Sequence, residues 1–348
     1  MRNYRDHLLS EENSIKQALI QLDVLAKDSI LFIIDENDQL LGSLTDGDVR
    51  RGLIKGVSIE ENVKNIIQSS PRFIKKGETE IEKIIEYREG NYRILPIIDQ
   101  ENKVVNVINF REIRSYLPID AIIMAGGRGS RLQPLTDSVP KPLLKIGDKA
   151  IMEHNVDRLS LFGIDDFWFS VKYLGDQIVD YFKDEKFKNI CIDYVWEDTA
   201  LGTIGAVSKI NNFKHDVVLV TNSDILTNLD YEEFYLDFIK QEADFSVVTI
   251  PYKVAIPYAV LETQSNEIKS FKEKPTYTYY SNGGIYLMRR SMLKHLPQNT
   301  FYNATDLMEK LIENGDKIIS YPLNGYWLDV GKHEDFEKAQ EDIKHIKL

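Results

Sequence analysis

The chain has 348 residues, of which 43% are hydrophobic, and its formal net charge at pH 7 is −12. This acidic balance argues against a general nucleic-acid or membrane-surface binder. The single cysteine, Cys191, excludes an intrachain disulfide and a cysteine-based zinc cage. The N-terminal segment carries charges where a signal peptide has an apolar core, and no apolar run reaches the ~20 residues of a membrane span. We therefore expect a cytoplasmic protein of two domains.

An internal repeat fills the first third of the chain. Residues 30–50 (ILFIIDENDQLLGSLTDGDVR) align without gaps on residues 94–114 (ILPIIDQENKVVNVINFREIR). Each copy predicts a strand, a turn, a second strand and a helix start, and an amphipathic helix is predicted before each, at 15–25 and 81–87. One copy cannot close its own core, so the repeat predicts an intimate pair.

This repeat resembles a tandem CBS-domain module, and it places an α+β CBS-pair domain at residues 1–117. In that family, a Thr and an Asp at the start of the last helix bind adenine nucleotides. The first copy has Thr45 and Asp48 there, which implies a regulatory nucleotide site. The second copy has Asn109 and Glu112 instead, so at most one such site is expected. The competing interpretation is that this segment only caps a helix and that the module serves assembly.

From Ala121 onward, apolar runs alternate with helical patterns, which predicts a second domain at residues 119–348. The predicted strands are 121–124, 167–171, 190–195, 217–220, 245–250 and 285–288. The predicted helices are 151–162, 176–182, 204–210, 231–242 and 333–346. Such alternation is typical of an α/β fold with a Rossmann-like, mainly parallel sheet. Ligands of such folds bind beyond the carboxyl ends of the strands.

The segment Ala121–Lys145, AIIMAGGRGSRLQPLTDSVPKPLLK, joins an apolar strand to a glycine-rich turn. Such a turn lets backbone N–H groups approach an anion. Arg128, Arg131 and Lys141 indicate that the anion is a polyphosphate. The complete string resembles the signature of the sugar-1-phosphate nucleotidylyltransferases, commonly GGxGTRLxPLTxxxPKPL, with Ser130 in place of the usual Thr.

The resemblance implies how this segment holds a nucleoside triphosphate. Lys141 lies between two prolines on a stiff segment and would contact the α-phosphate. Arg131 would hold the β- and γ-phosphates, which leave as pyrophosphate. The remaining nucleotide contacts are expected from the turn itself: Ala125, Gly126, Gly127, Arg128, Gly129 and Ser130. The competing interpretation of Lys141 is a solvated surface lysine.

Two aspartates are the candidates for binding Mg²⁺, which prefers a few hard oxygen ligands completed by water and phosphate. Asp224 follows the run VVLVTNS, at the carboxyl end of a predicted central strand. Asp329 lies in the segment WLDVG. Together they resemble the metal pair of the family's GD and W-x-D-x-G motifs, although Ser223 stands where the family usually has Gly. Taken singly, each aspartate is more often a turn or cap residue.

Three further segments are expected to bind the sugar and the base. By resemblance to the family's E-K-P and N-x-G-I-Y motifs, the sugar-binding residues are Glu273, Lys274, Asn282 and Gly283, with Lys274 on the sugar phosphate. Glu197 precedes a Leu-Gly-Thr-x-Gly turn, as in guanylyltransferases. A carboxylate can accept from guanine N1–H and N2–H together, whereas uracil offers one N–H between two carbonyls. Gly202 and Thr203 would add contacts to base or ribose. The competing interpretations are an exposed charged pair at 273–274 and an exposed strand-end glutamate at 197.

The motifs together predict Mg²⁺-dependent transfer of a nucleotidyl group, from GTP by preference, to a sugar 1-phosphate. The two-part architecture resembles the glucosamine-1-phosphate guanylyltransferases of legionaminic acid pathways. Mannose- or heptose-1-phosphate guanylyltransferases and uridylyl- or thymidylyltransferases remain alternatives, as does a non-catalytic CBS-regulated sugar-nucleotide sensor. A dinucleotide-dependent oxidoreductase and a P-loop kinase are disfavoured, because the spaced G-x-G-x-x-G and Gly-Lys-Ser/Thr patterns are missing. A homo-oligomer is expected.

Overall fold

The computed structural model describes residues 3–77, 80–183 and 190–346. The chain divides into two compact units. The first unit comprises Met1–Asp120, Leu159–Phe167 and Tyr181–Ile192, and the second comprises Ala121–Arg158, Trp168–Asp180 and Asp193–Leu348. The domain ranges 1–117 and 119–348, and the CBS character of the first domain, stay predictions.

The two repeats, each with the strand and helix that precede it, form the strands and helices of residues 3–109. These elements in chain order are β1 (Leu8–Ser10), α1 (Ile15–Leu25), β2 (Ile30–Ile34), β3 (Leu40–Thr45), α2 (Asp46–Ile54), β4 (Ile74–Lys75), α3 (Ile81–Glu89), β5 (Ile94–Ile98) and β6 (Val104–Asn109). They make two three-stranded sheets, β1-β2-β3 and β4-β5-β6. In each sheet the first strand is parallel to the second, and the second and third form an antiparallel hairpin. The repeat in the sequence is therefore a repeat in the structure.

The two copies share apolar packing as well as topology. In the first copy, α1 begins with a capping box between Ser14 and Gln17 and buries one face of apolar side chains. Ile34 of the first copy packs with Ile98 and Val104 of the second in one buried cluster. The first copy also has a larger buried cluster of its own, so the shared cluster joins the two copies but is not the main core of the first.

The helix start predicted at the end of the second copy is wrong. Residues 110–112 form only a turn, in which the N–H groups of Glu112 and Ile113 donate to the carbonyl of Asn109. The first copy continues into α2, but the second is followed closely by Pro118 and by the next strand. A helix has no room to form there, since proline cannot continue it.

The second unit contains a seven-stranded sheet and the remaining helices. The elements from Ile119 onward, most of whose residues belong to this unit, are β7 (Ile119–Met124), β8 (Lys145–Ile146), β9 (Lys149–Ala150), α4 (Ile151–Leu161), β10 (Asp166–Val171), α5 (Gly175–Phe182), β11 (Cys191–Trp196), β12 (Val217–Asn222), β13 (Ile225–Thr227), α6 (Tyr231–Lys240), β14 (Phe245–Ala255), β15 (Val260–Gln264), β16 (Glu267–Lys272), β17 (Thr276–Arg289), α7 (Ala304–Asn314), β18 (Ile318–Pro322), β19 (Trp327–Asp329) and α8 (His333–Asp342). Strands and helices alternate as predicted, and the helix predicted at 204–210 is a 3-10 helix, Gly205–Lys209.

The large sheet has the order β11-β10-β7-β12-β17-β14-β18 and is mainly parallel. Hydrogen bonds join residues at the carboxyl ends of the neighbouring strands β11, β10, β7 and β12, so these four strands run in the same direction. Strand β17 is antiparallel to both β12 and β14, whereas β18 is parallel to β14. The α/β prediction is thus confirmed, with one antiparallel strand inserted. The near-continuous apolar runs of the central strands agree with a sheet that is covered on both faces.

Several features of this unit were not predicted. They are helix α7, the length of β14 and β17, and the strands β8, β9, β13, β15, β16, β18 and β19. Beyond Thr249, β14 continues paired with β17 as far as Ala255 and Thr276, and the hairpin β15–β16 connects the two strands. We call residues 250–281 the arm. Most of its side chains are exposed, including the aromatic rings of Tyr252, Tyr279 and Tyr280. Within the described ranges, no helix is long and apolar enough to cross a membrane.

Candidate functional site

The carboxyl ends of the parallel strands bring the glycine-rich turn, Glu197 and Asp224 to one edge of the sheet. The N–H of Ala125 donates to Ser170 O at 2.9 Å, and the N–H of Glu197 donates to Val171 O at 3.0 Å. On the other side of β7, the N–H of Ser223 donates to Met124 O at 3.1 Å. These bonds align the strand ends, so residues that follow different strands face one cleft, as expected for an α/β sheet.

A cleft of about 390 Å³ opens at this edge. Ten of the predicted site residues line it: Gly126, Gly127, Gly129, Ser130, Arg131, Lys141, Glu197, Gly202, Thr203 and Asp224. The other lining residues are Met124, Pro142, Ala200, Leu201, Asn222, Ser223 and Phe301. The volume and the mixture of backbone, cationic and acidic groups suit a polar ligand with phosphate groups.

Two glycines of the turn are needed because other groups approach them closely. Gly129 has φ +63°, and a Cβ there would lie 2.9 Å from the Cβ of Lys141. A Cβ on Gly126 would lie 2.5 Å from Oε1 of Glu197. The turn therefore packs directly against the predicted catalytic lysine and the predicted base-binding glutamate. Neither contact could be read from the glycines alone.

Ala125 and Arg128 do not line the cleft in the way that was expected of them. Ala125 is buried, and its N–H is used in the sheet. The guanidinium of Arg128 lies over the ring of Tyr173, with its Cζ 5.2 Å from the ring centroid. A cation–π contact of this kind holds the arginine beside the turn.

Lys141 lies between the two predicted metal ligands. Its Nζ donates to Oδ2 of Asp224 and lies 4.0 Å from Oδ1 of Asp329. Only 8% of Lys141 is exposed. The two aspartates are held together by the antiparallel pair β13–β19, in which Ile225 pairs with Asp329, and by the bond from Val330 N–H to Asp224 O.

The electrostatics of this cluster favour a cation. Burial, together with the neighbouring charge of Asp224, raises the pKa of Asp329, while Lys141 and Arg131 oppose that rise. Among the described residues, Oδ1 of Asp224 and Oδ1 of Asp329 are buried and find no hydrogen-bond donor. Two unpartnered carboxylate oxygens beside a phosphate-binding turn fit a Mg²⁺ ion that is also bound by phosphate and water. No group of three or more acidic, His or Cys side chains forms a metal site in the described part of the chain.

Glu197 is buried, with 8% of its surface exposed, so its interpretation as an exposed strand-end residue is wrong. Its Oε1 accepts from Ser170 Oγ at 2.5 Å, and its Oε2 accepts from Leu201 N–H at 2.9 Å. The carboxylate therefore ties the loop after β11 to the end of β10. It also faces the cleft, since Glu197 is one of the lining residues.

Gly202 and Thr203 lie in a loop that packs against the start of α7. Gly202 has φ +77°, and a Cβ there would lie 2.5 Å from the carbonyl oxygen of Tyr302. Thr203 Oγ1 accepts from Ala304 N–H at 2.9 Å, which caps the helix. The unpredicted helix α7 thus positions this part of the cleft. Phe301, just before α7, is 58% exposed on the cleft wall, and no motif in the sequence marked it as a site residue.

The predicted sugar-binding residues lie in two different surroundings. The carbonyl of Gly283 accepts from Trp327 Nε1 at 2.9 Å, and Oδ1 of Asn282 accepts from Gly284 N–H at 2.9 Å. Trp327 therefore links this segment to the strand that carries Asp329. Glu273 and Lys274 instead lie on the exposed arm. None of these four residues is among those that line the cleft.

Thr45 and Asp48 lie in the first unit and form a capping box at the start of α2. Thr45 N–H donates to Asp48 Oδ2 at 2.9 Å, and Thr45 Oγ1 donates to the same oxygen at 2.6 Å. Asp48 also pairs with Arg51. The geometry satisfies the helix-cap interpretation, and a nucleotide site at these residues stays a prediction.

Similar proteins are found for about two thirds of the chain. Residues 120–346 match the protein-family model described as nucleotidyl transferase. The UTP–glucose-1-phosphate uridylyltransferase of Synechocystis sp. is 28% identical over 253 residues, which covers 66% of this chain and 65% of that protein. The D-glycero-α-D-manno-heptose 1-phosphate guanylyltransferase of Aneurinibacillus thermoaerophilus is 27% identical over 231 residues, or 65% of this chain and 99% of that enzyme.

One solved structure resembles about the same share of the chain as these two relatives do. It is a protein from Bacillus anthracis described as a glucose-1-phosphate thymidylyltransferase, in complex with sucrose, with a TM-score of 0.53 and 25% sequence identity. The match covers 66% of this chain and 97% of that protein. This chain thus spans just under two thirds of the length of the Synechocystis relative, but nearly all of the two shorter ones.

Proposed function

We propose that this chain, which belongs to the nucleotidyl transferase family, transfers a nucleotidyl group from a nucleoside triphosphate to a sugar 1-phosphate. The products are a nucleoside diphosphate sugar and pyrophosphate. The observation that carries this proposal is the cluster of Lys141, Asp224 and Asp329 beside a glycine-rich turn that also presents Arg131. Arg131, Lys141 and Asp224 line the cleft and Asp329 lies beside Lys141. Cations for phosphates and carboxylates for Mg²⁺ are thus close together.

The reaction needs alignment and charge neutralisation more than acid–base chemistry. An oxygen of the sugar phosphate, already an anion, attacks the α-phosphorus, and the bond to the pyrophosphate oxygen breaks. Lys141 would hold the α-phosphoryl group and Arg131 the departing pyrophosphate, while backbone N–H groups of the turn orient the chain of phosphates. Asp224 and Asp329 would hold Mg²⁺, which when bound neutralises phosphate charge.

The geometry of Glu197 supports a preference for GTP. A buried carboxylate at the cleft can accept from two adjacent N–H groups, and each oxygen retains a lone pair beyond its bond to Ser170 or Leu201. Guanine presents such a pair of N–H groups, and uracil and thymine do not. The heptose 1-phosphate guanylyltransferase among the relatives agrees with this preference, whereas the Synechocystis uridylyltransferase keeps UTP as the alternative.

The acceptor sugar is proposed to be glucosamine 1-phosphate, with mannose or heptose 1-phosphate as alternatives. Asn282 and Gly283 lie next to the aspartate-bearing strand through Trp327, which supports a sugar site there. Glu273 and Lys274 would reach the sugar phosphate from the arm. An adenine nucleotide at Thr45 and Asp48, and a homo-oligomeric assembly, complete the proposal.

A substrate matrix tests the function directly. Purified protein is incubated with Mg²⁺, each of GTP, UTP, dTTP, CTP and ATP, and each of glucosamine, mannose, glucose and heptose 1-phosphate, and pyrophosphate release is measured. We expect release with GTP and a hexosamine 1-phosphate, and almost none without the sugar phosphate. Lys141→Ala should lose most of this turnover while keeping the wild-type circular dichroism spectrum. A protein that binds sugar nucleotides but releases no pyrophosphate with any pair would instead be a sensor.

A further inference from the structure

In this structure, a lysine already occupies the position of a cation between Asp224 and Asp329. The Nζ of Lys141 donates to one aspartate and lies 4.0 Å from the other. The side chain is nearly buried, so water screens its charge only weakly. Each aspartate still has one buried oxygen with no donor among the described residues.

The backbone of Lys141 is fixed, whereas its ammonium end has freedom to move. The residue begins the short 3-10 helix Lys141–Leu143 and lies between Pro140 and Pro142. Its Cβ is packed against Gly129, at a distance that leaves no room for a side chain there. Three rotatable bonds separate this Cβ from the ammonium group. Rotation about them can move the ammonium away from Asp224 while the backbone and Cβ remain in place.

We propose that Lys141 is a resident counter-ion of the metal site, which keeps free divalent cations out until a nucleotide arrives. The inference rests on the proposed function. In the absence of nucleotide, the ammonium neutralises Asp224 and repels a second cation that approaches the two aspartates. The phosphates of an incoming nucleotide offer the ammonium a stronger partner. Asp224 and Asp329 are then free to bind the metal that accompanies the nucleotide.

The consequence is positive coupling between nucleotide and metal. A nucleotide should raise the affinity for the metal, and by thermodynamic reciprocity the metal should raise the affinity for the nucleotide by the same factor. Direct contact between metal and phosphate also produces coupling. The contribution of Lys141 is therefore the part of the coupling between nucleotide and metal that disappears when the charge of Lys141 is removed.

The test measures Mn²⁺ binding by electron paramagnetic resonance in the full-length protein. Without nucleotide, we expect Lys141→Met to bind Mn²⁺ at least ~10-fold more tightly than wild type, because a nearby positive charge is lost. Lys145→Met is the matched control: it removes the same charge from an exposed side chain four residues away and should leave Mn²⁺ binding unchanged. The gain in Mn²⁺ affinity produced by a non-hydrolysable GTP analogue should be smaller in Lys141→Met than in wild type.

A second variant controls for the possibility that Lys141→Met misfolds. Lys141→Gln keeps a donor for Asp224 without the charge, and its thermal midpoint and circular dichroism are measured beside those of Lys141→Met. Mn²⁺ affinities within twofold of wild type in both folded variants would overturn the inference. That result would leave the proposed function intact, since pyrophosphate release by wild type is measured separately. An absence of release with every substrate pair would instead refute the proposed function.

Discussion

Replacing Glu197 with glutamine changes one oxygen of a buried carboxylate to an NH₂ group and nearly preserves the shape of the side chain. In the wild type, the two oxygens accept from Ser170 Oγ and from Leu201 N–H. The Ser170 hydroxyl can turn to accept from the new amide, but the Leu201 N–H can only donate. A hydrogen bond to a charged group contributes about 1.5–3 kcal/mol. The bond to Ser170 persists with its direction reversed, whereas the bond from Leu201 N–H is weakened because its acceptor is no longer charged. We therefore expect a loss of about 1–2 kcal/mol in the free energy of unfolding.

The same change should alter nucleotide selectivity. If Glu197 accepts from guanine N1–H and N2–H, the amide loses one acceptor and places a donor there. Loss of a bidentate pair is worth about 1–3 kcal/mol of discrimination, which corresponds to roughly a 5- to 150-fold fall in the preference for GTP. The measurement is kcat/KM for GTP, UTP and dTTP, with pyrophosphate release as the readout.

Ser170→Ala is the matched control for this experiment. It removes the donor to Oε1 of Glu197 but keeps the carboxylate, so stability should fall while the ratio of GTP to UTP turnover stays near that of wild type. Glu197→Gln with an unchanged ratio would refute the reasoning on base recognition. The glutamate would then serve only to hold the loop at Leu201.

Three further predictions concern the turn, the aspartate pair and the first unit. Gly129→Ala should cost about 1–3 kcal/mol of stability, from backbone strain and contact with Lys141, and should reduce turnover at least tenfold. Gly315→Ala is the control, because Gly315 also has a positive φ but has open space around its Cβ. It should cost about 1 kcal/mol in thermal unfolding and keep full turnover. Because the pKa of Asp329 is raised on folding, its ionisation destabilises the fold, and this cost appears as pH rises from the unfolded value through the folded one. Asp329→Asn should therefore stabilise the metal-free protein at pH 7 by about 1 kcal/mol or less. In urea titrations this gain should disappear below the pKa of the unfolded state, and the variant should still lose turnover. An Asp329→Asn variant that is less stable than wild type at pH 7 would contradict this. AMP or ATP should raise the thermal midpoint of wild type but not that of Thr45→Val, and the absence of any shift in wild type would leave the capping box as the sole role of that residue pair.

Local patterns in the sequence determined much of the secondary structure. The strands β2 and β3 recur as β5 and β6 at the same spacing as the sequence repeat, because alternation and turn residues act within a few positions. The central strands were predicted as uninterrupted apolar runs, since a sheet covered on both faces tolerates few polar side chains. Neighbouring residues likewise sufficed to recognise the glycine-rich turn and the Pro140-Lys141-Pro142 segment.

What the sequence could not determine are contacts between distant segments. Lys141 and Asp224 are 83 positions apart, and Asp224 and Asp329 meet only through the pairing of β13 with β19. The burial of Glu197 depends on Ser170 and on the loop at Leu201, which the order of strands brings together. Helix α7 was missed, although its position decides the wall formed by Gly202 and Thr203. Glu273 and Lys274 form a recognisable motif, but the length of β14 and β17 places them on an exposed arm. Motifs identify chemical groups through short-range patterns, whereas the distances between those groups follow from long-range strand pairing and packing, which no local pattern encodes.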